Sequence, residues 1–192
     1  MNRLIVIVCL SLHAACNTSP SEKEREIPAH TSDSQVFFPV TNYLRGQIAE
    51  IKSSGINPLK IDSANGKIDS VWLKIEDFDA AFKDFLEPEI DSANLAGLYE
   101  ETKFGDQTLD TYTFTYNALP NLPANNPLIR WDVYISRETN NVKSIFIAKQ
   151  FPTEELQLTW HSNNSCKKVS IATNKAGRQF VAYEQVIKWN FN

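Results

Sequence analysis

The chain is poor in the residues from which most catalytic and nucleotide-binding sites are built. Its 192 residues include six glycines, three cysteines, three histidines and one methionine. The glycines stand at positions 46, 55, 66, 97, 105 and 177, and no two have the spacing of a phosphate-cradling loop. G-x-S-x-G, H-E-x-x-H and C-x-x-C do not occur, which removes serine-elbow hydrolases, zincins and dithiol redox motifs from consideration. No Lys/Arg-rich patch stands out and the formal net charge is −4, so nucleic acid is not an expected partner. Beyond residue 16 only His30 and His161 remain, too few for a histidine-built metal centre. No metal or cofactor is expected.

Apolar runs are equally scarce, and the one that stands out is short. Leu4 to Leu12 follows the basic start Met1-Asn2-Arg3 and is closed by Ala14-Ala15-Cys16. A basic n-region, a short h-region and small residues before a cut site define a secretory signal. The run falls well below the ~20 apolar residues needed to cross a bilayer. With cysteine at the cut site it resembles a bacterial lipoprotein signal, in which Cys16 becomes the lipidated, palmitate-bearing first residue. The departure is His13, where that pattern has an aliphatic residue. Residues 1–15 are thus read as signal peptide, 16–35 as a flexible tether and 36–192 as a single domain. The tether is polar, with the mixed charge cluster Glu22-Lys23-Glu24-Arg25-Glu26, and offers little to bury. With Cys9 discarded and Cys16 lipidated, Cys166 is the only thiol left, so no internal disulfide is available to the exported domain.

The domain shows two regimes of periodicity. Val40, Leu44, Ile48 and Ile51 recur at helical spacing, as do Ile75, Phe78, Phe82 and Phe85; Asp91-Ser92 is placed to cap a short third helix. Between the first two helices, Asn65-Gly66 marks a hairpin. After Tyr99 apolar residues alternate with polar ones, giving strands around Tyr112–Tyr116, Ile129–Ile135, Val142–Lys149, Leu156–Trp160, Cys166–Thr173 and Gln185–Phe191. Helices followed by a run of strands predict an α+β fold: N-terminal helices packed on a curved antiparallel meander. The shape analogues are an NTF2-like cone and the half-barrel of lipoprotein carriers.

Several residues are candidates for function. Trp131, Trp160 and Trp189 take the apolar register of their strands and belong to the core. Trp72 alternates with Ser70 and falls, like Arg130, Asp132 and Tyr134, on the opposite sheet face. An aromatic and a charged pair on that face suit a ligand cleft; a face covered by helices or simply solvated is the alternative. If Ser162–Ser165 is a hairpin turn, His161 and Cys166 face each other as a thiol–imidazole pair, the arrangement of a cysteine nucleophile and its base. Glu87, Glu89 and Asp91 alternate along an acidic run that a hard cation would accept, though without the D-x-D-x-D-G loop; helix capping by Asp91 is the simpler role. Asp62-Ser63, Asp69-Ser70 and Asp91-Ser92, each before Ala or Val, resemble acceptors for O-glycosylation in exported Bacteroidetes proteins, and turn or cap formation accounts for them equally well.

Phe37-Phe38-Pro39-Val40, Asp69-Ser70-Val71-Trp72, Phe85-Leu86-x-Pro88-Glu89-Ile90 and Arg130-Trp131-Asp132-Val133-Tyr134 resemble segments of an uncharacterised Bacteroidetes lipoprotein family. The resemblance implies an outer-membrane lipoprotein, periplasmic or surface-exposed, and brings no activity with it. The expected function is a non-enzymatic envelope module, held to the membrane by lipid on Cys16. It binds a small hydrophobic or glycan ligand or an envelope protein. The alternatives are a cysteine-dependent enzyme using Cys166 and His161, and a structural or assembly-factor lipoprotein.

Overall fold

The computed structural model describes residues 36–191. The signal, the lipidation site Cys16 and the tether lie outside the described residues. The chain enters a 14-residue helix, α1 (Val40–Ser53), whose Val40, Leu44, Ile48 and Ile51 are buried, one apolar stripe at helical spacing. A hairpin follows, β1 (Leu59–Ala64) and β2 (Lys67–Trp72), turned by Asn65 and Gly66, both at positive φ, the backbone that an Asn-Gly hairpin requires. A 3-10 turn over Ile75–Asp77 leads into α2 (Phe78–Leu86). The four-residue α3 (Ser92–Leu95) is capped by Asp91, whose carboxylate accepts from Asn94 N at 2.8 Å.

Seven strands complete the chain: β3 (Tyr99–Asp106), β4 (Thr111–Ala118), β5 (Leu128–Ser136), β6 (Val142–Gln150), β7 (Glu154–His161), β8 (Ser165–Thr173) and β9 (Gln179–Lys188). All nine form one antiparallel sheet in the order β2-β1-β9-β8-β7-β6-β5-β4-β3. From β3 onward it is a meander; β9 returns to pair with β1. The broad α+β expectation holds.

Register sorts the side chains into two faces. Trp131 lies opposite Tyr116 and Ile147, and the row continues through Leu158, Lys168, Gln185 and Asp62 to Asp69. The helices meet this face through aromatic edges. Phe37 packs on Trp131 at 5.8 Å, and Phe82 and Phe85 each lie 5.6 Å from Trp160. Trp131 and Trp160 are fully buried, and Trp189 nearly so. Such edge-to-face contacts add about 0.5–1.5 kcal/mol each beyond area burial.

Three local expectations are corrected. Ile129 is a bulged residue, because Leu128 pairs with Lys149 and Arg130 with Ala148; the core position is therefore Leu128, fully buried. β9 begins at Gln179 and ends at Lys188, which leaves Phe191 beyond the sheet and half exposed. β3, not foreseen as a strand, forms the far edge of the sheet.

Candidate functional site

The β7–β8 hairpin separates the proposed thiol–imidazole pair. Its loop is three residues, Ser162 to Asn164, with Asn163 at a φ of 58°. His161 therefore lies opposite Ser165, and Cys166 opposite Trp160. Neighbouring positions on a strand point to opposite faces: the thiol enters the core, 1% exposed, while His161 is exposed on the other side. Burial pushes the Cys166 thiol far up from its ordinary value, against smaller opposing effects from a backbone hydrogen bond and Lys168. A thiolate nucleophile needs the reverse.

The carboxylates of the acidic run also go separate ways. Glu87 faces Lys83 at 3.6 Å, Glu89 pairs with Arg45 at 2.6 Å, and Asp91 caps α3. Among the described residues no group of three metal-ligating side chains forms.

Arg130, Asp132 and Tyr134 do share the face opposite the helices. The Asp132 carboxylate is 2% exposed and takes two hydrogen bonds from Arg130 Nε, at 3.2 and 3.1 Å, with Nη2 at 3.0 Å. Tyr134 borders a groove of about 370 Å3 with Leu109, Thr111, Phe146 and Thr159. Burial first, then the Asp132 charge, raises the Tyr134 phenol above its ordinary pKa, with Arg130 opposing. Trp72 lies in the same cross-strand row as Tyr134, through Ser144, His161, Ser165, Lys188 and Leu59. Six strand spacings separate the two, roughly 30 Å in an even sheet. One cleft does not hold both, so the expected set divides.

Trp72 instead borders a different concavity through one neighbour, without lining it. Its ring contacts Phe191 at 5.8 Å, and Phe191 forms one wall of a cleft of about 500 Å3 at the C-terminal end of α1. Gln47, Glu50 and Ser54 come from α1 and its cap, Asn163 from the β7–β8 turn, and Trp189, Asn190 and Phe191 from the segment after β9. Hydrogen bonds hold helix and hairpin together here. Tyr43 Oη and Ser162 Oγ are 2.8 Å apart, and Gln47 Oε1 accepts from Asn163 N at 3.3 Å. Gln47 Nε2 donates to Glu50 at 3.3 Å, and Asn190 Nδ2 donates to Asn163 O at 3.2 Å.

A polar seam runs between α2 and the sheet. Asp62 accepts from Tyr183 Oη at 2.5 Å and Gln185 Nε2 at 2.8 Å, and pairs with Lys60 at 2.8 Å. Burial opposes its ionisation, but these bonds outweigh burial and hold the carboxyl below its ordinary value. The buried Lys149 donates to the carbonyl oxygens of Asp84 and Glu87 at the end of α2. Burial lowers its pKa to about 8, against the attraction of Asp84 and Glu87. Asp62 thus ties β1 to β9, while Lys149 and the Lys168–Asp84 ion pair at 3.0 Å fasten α2 to the sheet.

Comparison with protein-family models, with curated proteins and with solved structures finds no match for this chain.

Proposed function

We propose that the protein is an envelope lipoprotein, tethered to the outer membrane through lipid on Cys16, whose domain is a non-enzymatic ligand-binding module. The signal-like start and its Ala-Ala-Cys close support the location, as does the resemblance to Bacteroidetes lipoproteins. The observation that carries the binding role is the cleft at the end of α1. It is the largest of the concavities described, open to solvent, with aromatic and aliphatic walls and a rim of amides and one carboxylate. The finer shape belongs to the same reading: a sheet curved around its helices, in the manner of a lipoprotein-carrier half-barrel or an NTF2-like cone.

Two measurements test this. Radiolabelled palmitate enters the wild-type chain in its own cells and is lost in Cys16→Ala; equal labelling of both removes the lipoprotein reading. Native mass spectrometry of protein purified from those cells finds a non-covalent mass that departs on denaturation. A single bare mass overturns the ligand-binding role and leaves an assembly role, in which the surface acts through protein contacts.

A further inference from the structure

The geometry points to a neutral saccharide as the ligand class of the cleft at the end of α1, an inference that rests on the ligand-binding reading above. Three properties of the lining carry it.

The first is what the lining omits. Among the described residues no lysine or arginine lines the cleft. Lys188 is held over the Phe191 ring, 5.6 Å from its centroid, and is not a lining residue. Recognition of phosphate, sulfate or carboxylate relies on cationic donors, so an anionic ligand has no partner among these side chains.

The second is the chemistry of the rim. Gln47 and Asn163 carry amides, which donate and accept at once, and Glu50 offers a two-oxygen acceptor. A sugar hydroxyl likewise donates and accepts, and neighbouring hydroxyls present themselves in pairs to such groups. Gln47 Nε2 spends one hydrogen on Glu50, at 3.3 Å, and its second hydrogen meets no acceptor among the described residues. A wholly apolar ligand would strip water from these groups and return no hydrogen bond.

The third is the aromatic wall. Phe191, a lining residue, is 51% exposed; Trp72, outside the lining, backs its ring at an interplanar angle of 60°. The C–H face of a pyranose is apolar and weakly positive, which suits the negative face of an aromatic ring. Phe191, a lining ring left half exposed beside amides, offers the stacking surface.

The test is calorimetric titration of the full-length protein with a panel of neutral, uronic and sulfated oligosaccharides, with lauric acid as an apolar probe. Saturable binding of a neutral oligosaccharide is expected, weakened at least tenfold in Phe191→Ala and in Gln47→Ala. Both sites are on the surface, and far-ultraviolet circular dichroism verifies the fold of each variant. Preference for the sulfated or uronic members overturns the neutral class. Lauric acid bound in a Phe191-dependent way, with no sugar bound, overturns the saccharide while sparing the ligand-binding role. Sugar binding indifferent to both substitutions removes it from this cleft. If no probe binds, both the saccharide and the ligand role of the cleft fall.

Discussion

Trp160 and Cys166 stand opposite each other across the β7–β8 hairpin, both facing the helices and both buried to within 1%. The thiol is thereby a small core residue beneath an indole. Iodoacetamide is expected to label Cys166 only as the protein unfolds, with a rate that follows denaturant. Rapid labelling of the folded protein near neutral pH would revive the cysteine-enzyme alternative.

The indole nitrogens of Trp131 and Trp160 are buried and meet no hydrogen-bond partner among the described residues. Their contribution is therefore volume and aromatic contact. Trp160→Phe orphans nothing and is expected to cost less than Trp160→Ala, for which about 3–5 kcal/mol is expected from urea denaturation. Trp72→Ala, at an exposed position, is expected to stay within about 1 kcal/mol of wild type. Equal losses at Trp72 and Trp160 would mean that the strand registers are wrong.

Lys149 gives a pH signature. Its pKa falls from 10.5 to about 8 on folding, so the unfolded chain binds the proton more tightly between those values. Stability contributed by this group is fully present above pH 10.5 and lost as pH falls through 8. Measured against Lys149→Met, the wild type is expected to gain stability as pH rises from 8 to 10.5. A flat or falling difference would show that Lys149 remains charged at little cost where it meets α2.

Arg130 and Asp132 form an asymmetric pair, with side chains 48% and 2% exposed. Removing the arginine strands a buried carboxylate, whereas neutralising the aspartate leaves a cation that can turn to water. Arg130→Ala is therefore expected to cost about 3 kcal/mol and Asp132→Asn distinctly less, by chemical denaturation. The opposite order would contradict the burial of Asp132.

Much of the fold was legible because turn grammar and alternation are local signals. Asn65-Gly66 located the first hairpin, and the phenylalanines of α2 announced its buried face. β3 was illegible for a physical reason: as an edge strand it buries Tyr99 but leaves Lys103 and Phe104 exposed, so no apolar alternation is imposed on it. The His161–Cys166 pairing failed by one residue, because loop length sets hairpin register and Ser165 belongs to the strand. Of the candidate site, Arg130, Asp132 and Tyr134 were legible as one face of β5. The cleft was not, since Gln47, Asn163 and Phe191 are far apart in the chain and only the closed fold joins them.

The way the chain enters the domain also decides how the domain bears load. Phe37 packs edge-on against the stacked pair Tyr116 and Trp131, at 5.3 and 5.8 Å, and its backbone N–H is tied to Ser92 Oγ at 2.6 Å. A pull applied ahead of Val36 reaches this aromatic grip before it reaches α1 or any strand ladder. A load arriving along the N-terminal segment would thus meet the buried aromatic cluster first, a helix length away from the cleft at the other end of α1.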